Sequence, residues 1–369
     1  MAGRAQEGRR IMLNDPVSIF QIEGEVVSVH EYGEGHINTT HKVVMADGSE
    51  YLLQSINTNI FKNPDELMEN IQNVTEYLRK VIALRGGDPS RETLEVIPTR
   101  ENHLYYRDEE GTCWRMYHFI RNTVTYQSFE DPAIFEKCGK AFGQFLADLD
   151  EYPADSLHEA IPDFHHTVKR YRTLQAAIAD DVCGRAADVQ EEIAFAAARE
   201  DRYGMILDAL ESGEMPLRVT HNDTKVNNVL MDAVTGDGIC VIDLDTVMPG
   251  SCLYDFGDAI RFGAATAAED CTELDTMKMD VALFEAFARG FITGTQGKLT
   301  PMEIKMLPVG AWMMTMENGI RFLTDHLSGD VYFKIHHSGH NLERCRAQFA
   351  LAADMESKME KLVELVQKI

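Results

Sequence analysis

His221-Asn222-Asp223-Thr224-Lys225-Val226-Asn227-Asn228 and, further on, Val241-Ile242-Asp243-Leu244-Asp245 set out an ordered group of residues able to do chemistry. An Asp is followed five residues later by an Asn, and a second Asp ends a short apolar run. Phosphoryl transfer from ATP asks for that set. Asp223 is placed to orient an attacking hydroxyl and receive its proton. The Asn228 amide oxygen and the Asp243 carboxylate are placed to hold the Mg2+ that bridges the phosphates. Asp and Asn are common turn residues, and either half alone would suit a surface hairpin. The complete order, His-x-Asp-x4-Asn and then apolar-apolar-Asp, is far more specific than its parts.

The surrounding runs predict how these groups are held. Leu217-Arg218-Val219-Thr220 leads into His221, and Val229-Leu230-Met231 leads out of Asn228. Asp232 to Gly238 supplies Gly and Asp turn chemistry, and Ile239-Cys240-Val241-Ile242 forms the next apolar run. A strand, a turn and a paired strand therefore deliver Asp243 close behind the loop that carries Asp223.

Upstream, three strand-like runs joined by short turns span Ile19 to Asn59 and read as an antiparallel sheet. The Gly33-Glu34-Gly35 segment lies between the first two, where Gly33 and Gly35 permit close backbone approach to ATP phosphates. Asn63-Pro64-Asp65-Glu66 has the cap, proline and acids of a helix start, and Leu67, Ile71, Val74, Leu78 and Ile82 recur at helical spacing. Cys113 to Ile120 suits a last strand that becomes a hinge, which nominates Tyr117, His118, Phe119 and Ile120 for the adenine edge. After Asp131-Pro132 the chain turns helical. Phe135, Cys138, Phe142, Phe145, Leu146 and Leu149 share a face, Phe164 to about Met205 is Ala-rich and helix-prone, and further helices are expected over about 281–292, 301–325 and 342–368. The Met cluster at 306, 313, 314 and 316 reads as gap-filling core.

The fold class expected is α+β: a protein-kinase-like two-lobed fold, with a small antiparallel β-rich N-lobe and a larger, mainly helical C-lobe. Residues 1–14 read as a disordered lead-in, 15–120 as a nucleotide-binding lobe ending in the hinge, and 121–369 as a catalytic and substrate-binding lobe.

Bulk properties narrow the class. The 369 residues carry a formal charge of -25, with 44% hydrophobic and 26% charged residues, enough for a substantial core. That charge argues against nucleic acid and against an anionic membrane surface as partners, while ATP remains compatible because a metal ion and local N–H groups supply positive field. The seven Cys are irregularly spaced without a Cys-x-x-Cys pair, which fits reduced thiols in a cytoplasmic protein rather than a disulfide framework or zinc cluster. No signal peptide, membrane span or obligate protein partner is evident.

Longer blocks carry a family resemblance. His221 to Leu230, the run Val241-Ile242-Asp243-Leu244-Asp245-Thr246-Val247-Met248-Pro249-Gly250, and Asp255-Phe256-Gly257-Asp258-x-Ile260-Arg261-Phe262-Gly263 resemble bacterial N-acetylhexosamine 1-kinases, within the aminoglycoside phosphotransferase and choline kinase superfamily. The likeness extends to Phe61-Lys62-Asn63-Pro64, to Asn318 through Leu327, and to Gly339-His340-Asn341-Leu342, covering nearly the whole chain. The resemblance implies ATP- and Mg2+-dependent phosphorylation of the anomeric hydroxyl of N-acetylglucosamine or N-acetylgalactosamine. Asp223 would be the base, with Asn228 and Asp243 on the metal, and Asp245, Arg261, Phe262 and Arg321 near the sugar. Tyr332 is counted with the sugar contacts. The neighbouring His336, His337 and His340 have no Cys or carboxylate at ligand spacing and read as a turn or sugar-edge contact rather than a metal site. The plainer readings are an Arg261–Asp258 ion pair and a core Phe262.

One position departs from the protein-kinase pattern. Where a lysine would touch the α and β phosphates, the run Tyr51-Leu52-Leu53-Gln54 offers Gln54, a neutral amide. Lys62 could compensate, or the metal carries more of the charge, and a Lys–Glu pair with Glu66 or Glu69 is in question. The competing readings are an aminoglycoside, choline or other small alcohol as acceptor, and a nucleotide-binding pseudokinase supported only by Gln54.

Overall fold

The computed structural model describes residues 16–33, 38–126 and 131–369. The lead-in expected over 1–14 and Gly35 lie outside the described residues. The chain divides into two compact units. The first takes residues through Thr123 together with Leu157–Ile161 and Ile242–Val247, and the second takes Val124–Ser156, Pro162–Val241 and Met248–Ile369.

In the first unit the predicted strands form β1 (Val26–Glu31), β2 (Thr40–Met45) and β3 (Glu50–Ile56), with β4 (Val96–Ile97), β5 (Tyr106–Arg107) and β6 (Cys113–His118) completing an antiparallel sheet. Its order is β1-β2-β3-β6-β4, and β5 also pairs with β6. Alternation decides which face is dry. Val43, Met45, Tyr51, Leu53 and Met116 bury themselves with Phe20, Ile22 and Ile97. Helix α1 (Pro64–Leu84) starts where its sequence said it would: the Asn63 side chain accepts from the Glu66 amide, with Pro64 at the first turn. Its periodic residues Leu67, Ile71, Val74, Leu78 and Ile82 are all buried.

The second unit is helical around a small β framework. β7 (Arg218–Thr220) leads into the His221 loop, and β8 (Val229–Asp232) pairs with β9 (Gly238–Val241) as the predicted hairpin. β10 (Met248–Gly250) pairs back onto β7, Met248 opposite Thr220 and Gly250 opposite Arg218. Met-Pro-Gly carries no strand signature in sequence, so this pairing emerges only from the tertiary structure.

Helix α2 (Pro132–Asp148) lies against α3 (Val281–Gly294) at unusually close range. A methyl group added at Gly290 would collide with the Glu136 carbonyl, and one at Gly139 with the Phe287 carbonyl. The two backbones approach because no side chain stands between them. The Ala-rich stretch expected as helix-prone from Phe164 is interrupted. It forms α4 (Thr167–Asp180) and α5 (Gln190–Ala197), and Asp181 (φ 37°) and Gly184 (φ 65°) take left-handed conformations that end the first. The unit also contains α6 (Cys252–Gly263), α7 (Pro301–Leu327) and α8 (His340–Val366). Met306, Met313, Met314 and Met316 of α7 are buried core, as read from sequence. Among the described residues no helix is long and apolar enough to cross a membrane.

Candidate active site

The His221 loop is built from below. His221 itself is fully buried, with the edges of Phe142 and Phe145 against its ring at 5.8 and 6.1 Å. Asp255, near the start of α6, accepts the backbone N–H groups of His221 (2.9 Å) and Asn222 (2.7 Å). Burial raises the Asp255 carboxyl, partly offset by His221 and these amides. Thr224 donates its hydroxyl to the Asp255 carbonyl at 2.5 Å. The loop is thus pinned on both sides of Asp223, and Asn222 takes a left-handed φ of 64° just before it.

Asp223 is half-buried, and Lys225 reaches back to it with Nζ 2.8 Å from Oδ1 and 3.1 Å from Oδ2. Burial would lower the lysine pKa, but Asp223 and Asp258 raise it above its usual value, so the ammonium is held charged. Asn228 donates its amide nitrogen to the Asp223 carbonyl at 2.8 Å, which turns its amide oxygen to the opposite side. Asp258 lies further along α6. Arg261 grips its Oδ1 through Nε (3.0 Å) and Nη2 (2.9 Å), and Glu269 takes Arg261 Nη1 at 2.7 Å. Burial works against ionisation of Asp258, yet Arg261 and Lys225 hold its carboxyl below the usual range. Phe262 is 41% exposed and so is not a core residue.

Arg321, on α7, places its guanidinium 5.9 Å from the Tyr332 ring centre and 5.3 Å from that of Phe333. The segment carrying Tyr332 is ordered by Asp325, whose oxygens accept the amides of Val331, Tyr332 and Phe333 at 2.8–2.9 Å. His340 faces Asp270 (3.1 Å) and His337 faces Glu343 (3.3 Å). No cluster of three or more His, Cys, Asp or Glu suited to a metal occurs among the described residues.

In the first unit Gln54 is not an isolated substitution. It sits opposite Arg115 in the β3–β6 ladder, and its Oε1 accepts from Arg115 Nε (2.9 Å) and Nη2 (2.6 Å). Its amide nitrogen donates to Thr40 Oγ1 at 2.9 Å. Arg115 then extends Nη1 to Asp245 Oδ1 at 2.5 Å, and Asn38 donates to Asp245 Oδ2 at 2.7 Å. Burial alone would lower the Arg115 pKa, but Asp245, Tyr117 and Asp243 keep it raised. The short turn Leu244–Thr246 is therefore anchored immediately after Asp243, itself left-handed at φ 62°. Asn70 of α1 adds a bond to the Val247 carbonyl at 3.3 Å. Glu69 pairs with His158 at 3.0 Å, and Lys62 is exposed.

Gly33 is left-handed, φ +80°, with open space around it. Of the hinge nominees, Tyr117 is buried and paired with Leu52. His118 and Phe119 commit their amides to the Glu95 and Glu50 carbonyls, both at 3.1 Å, and Ile120 accepts from Thr123 Oγ1 at 3.1 Å.

Sequence reasoning passed over Arg115, Asp255 and Asp325. Arg115 did leave a signal, a lone charge on an inward position of an otherwise apolar strand. Asp255 stood in a recognised block without an assigned role.

The first unit's antiparallel sheet and the second unit's helical framework define a kinase-like α+β phosphotransferase fold. Solved structures share it. An aminoglycoside phosphotransferase from Alicyclobacillus acidocaldarius matches with TM-score 0.62 at 13% identity, over 96% of this chain and 96% of that one. An ethanolamine kinase from Plasmodium vivax matches with TM-score 0.55 at 15% identity, over 89% and 84%. An amicoumacin kinase in complex with AMP-PNP, Ca2+ and Ami matches with TM-score 0.58 at 12% identity, over 97% and 92%. A family model described as the phosphotransferase enzyme family (APH) matches residues 28–290, and the chain belongs to that family.

Proposed function

We propose that this chain is an ATP- and Mg2+-dependent kinase that phosphorylates the anomeric 1-hydroxyl of N-acetylhexosamines, with Asp223 as the base. The observation that carries the reading is the Asp223–Lys225–Asn228 arrangement, in which a carboxylate is paired with a charged lysine and tied by its own carbonyl to Asn228. The narrowing from phosphotransferase to sugar 1-kinase rests on the motif resemblance, above all the block 241–250 and the Asn318–Leu327 run.

The donor set suits a divalent cation. Asn228 offers an amide oxygen and Asp243 a carboxylate, the hard oxygen ligands that Mg2+ takes alongside phosphate oxygens and water. Bound there, Mg2+ would neutralise charge on the phosphates during transfer. The chain's own residues do the rest. Asp223 accepts the proton of the attacking hydroxyl. Lys225 adds positive charge beside Asp223. Gly33 permits close backbone approach to the phosphates, and the hinge main chain at Ile120 meets the adenine edge. Gln54 acts through Arg115 rather than as a substitute phosphate ligand.

Phe262, Arg321 and Tyr332 present accessible surface for a sugar, an aromatic face for the apolar side of the ring and a guanidinium for its hydroxyls. The charged groups of Asp245 and Arg261 are engaged by Arg115 and Asn38, and by Asp258 and Glu269, respectively. The Arg321 charge disfavours a cationic acceptor such as choline or an aminoglycoside.

Incubation with ATP, Mg2+ and N-acetylglucosamine or N-acetylgalactosamine, followed by phosphorus NMR, should give the sugar 1-phosphate. Exclusive 6-phosphate, or turnover only on amino alcohols or aminoglycosides, would replace the sugar 1-kinase reading while keeping the phosphotransferase class.

A further inference from the structure

His165 lies just ahead of α4 with its side chain 6% exposed, beneath the Asp223 loop. Its Nε2 is 3.1 Å from the Asn222 carbonyl oxygen, and its Nδ1 is 2.9 Å from Glu317 Oε1 on α7. A carbonyl oxygen can only accept, and so can an ionised carboxylate. Burial favours the neutral form of Glu317, but His165, Thr167 and Arg321 hold its carboxyl below the usual range. Thr167 donates to its other oxygen at 2.7 Å. Where Glu317 is ionised, an acceptor stands at each ring nitrogen, and keeping both contacts asks for a hydrogen on both.

Charged and aromatic groups surround the ring. Glu317 and Arg321 face it from α7, and Asp255, Asp258 and the Tyr254 ring (5.0 Å) from α6. His221 lies on the loop above and Arg170 on the helix that follows, α4. The carbonyl that His165 holds belongs to the peptide joining Asn222 to Asp223. Asn222 is in the left-handed region, which a non-glycine residue keeps only when its neighbours fix it. Asp255 fixes its N–H and His165 its C=O.

We propose that His165 is a positioning residue, a doubly protonated imidazole that ties the peptide before Asp223 to Glu317 and so sets the direction of the Asp223 carboxylate. Against an ionised Glu317, a neutral ring has one hydrogen for two acceptors and must release either the loop or the helix. The functional half of this inference rests on the reading of Asp223 as base; the protonation half does not.

The test uses the full chain with 15N-labelled histidine, the His165 signals being assigned by their disappearance in His165→Gln. At pH 7.5 both ring nitrogens should show the protonated signature. In Glu317→Gln the amide can donate to Nδ1, so the ring should become the neutral Nε2–H tautomer while keeping both bonds. A neutral His165 in the unsubstituted protein overturns the proposal. In steady-state kinetics His165→Gln should lower kcat at least tenfold with both KM values within about twofold, and Glu317→Gln should stay within about threefold of the parent, whereas Glu317→Ala should not. An unchanged kcat in His165→Gln overturns the positioning role. If the parent chain phosphorylates no acceptor, the proposed function fails, and the NMR result still decides the state of His165.

Discussion

Arg115 and Asp245 form an ion pair at 2.5 Å with their side chains 1% and 4% exposed. Their positions in the chain are 130 apart, and the pair joins β6 to the turn that follows Asp243. Two charges taken out of water are costly, and their mutual attraction offsets this only when the remaining hydrogen-bond sites are filled. Gln54 and Asn38 fill them, which explains why a neutral amide stands on β3: a lysine at position 54 would set a second cation against Arg115.

Arg115→Met should therefore destabilise the protein by about 3–5 kcal/mol, because Asp245 is left buried and unpaired. Asp245→Asn in the same chain should recover part of that loss, giving a coupling energy of about 0.5–3 kcal/mol in urea unfolding. Strictly additive single and double substitutions would show that the pair is not the unit described here. Arg115→Lys should not rescue, since one ammonium cannot serve both Gln54 and Asp245 with the geometry of a fork.

Asp223→Asn should reduce kcat by on the order of 10²–10⁴-fold, the usual contribution of a positioned base, with the unfolding midpoint unchanged. Lys225→Met should also lower kcat, by less, since it removes a charge beside the proposed base rather than that base itself. A Lys225→Met enzyme with full kcat would show that the ion pair plays no part in turnover.

Much of this was legible in the chain, for definite reasons. Three strands, the capped α1, the β8–β9 hairpin and the long helices follow from local periodicity and turn chemistry, which neighbours in sequence carry. Asn63, Pro64 and the Leu67–Ile82 spacing state a helix without help from the rest of the molecule. The elements around the His221 loop were readable because its flanking apolar runs and turn residues are neighbours in sequence. What stayed hidden is what partners distant in sequence decide. Met248-Pro249-Gly250 becomes a strand only because Arg218–Thr220 lies beside it. Arg115 gains its meaning from Asp245, and His165 from Glu317, whose position is 152 residues away. The break at Asp181 within an Ala-rich run was likewise beyond propensity, which scores alanine and ignores the turn that the tertiary path requires.

Acid should weaken the helical unit before alkali does. Glu303 accepts a two-pronged contact from Arg218 at 2.6 and 3.0 Å, and Asp150 takes the third nitrogen at 2.7 Å. Burial opposes ionisation of Glu303, Glu317 and Asp258, but their cationic and hydrogen-bonding partners leave all three below the ordinary values of 4.5 for glutamate and 3.8 for aspartate. Depressed carboxylates add stability that is present above the unfolded pKa and lost as pH falls through the folded one. Asp255 has the opposite sign: burial raises it, so its contribution is present at acid pH and lost as pH rises through its folded value. Three groups outweigh one, so the urea midpoint should drop below about pH 4.5. Glu303→Gln should flatten that drop, and an unaltered acid slope would exclude Glu303 from the linkage.

Asp325 gives the last prediction, one about acceptor binding. Its carboxylate gathers the amides of Val331, Tyr332 and Phe333, and Asn341 donates to the same side chain at 2.9 Å. Leaving three amides without partners would cost about 1–3 kcal/mol each in a dry interior. Val331 and Tyr332 are 78% and 68% exposed, however, so water can replace the carboxylate there. The loss should therefore fall on loop order rather than on global stability. Under the proposed function Tyr332 and Arg321 meet the acceptor, so Asp325→Ala should raise the acceptor KM by about tenfold, equivalent to about 1.4 kcal/mol, and leave the ATP KM within twofold. Tyr332→Ala should raise the acceptor KM by a comparable factor, and the double substitution should add little, because both changes remove the same presented ring. An Asp325→Ala enzyme that loses ATP affinity instead would move this loop from the acceptor to the nucleotide.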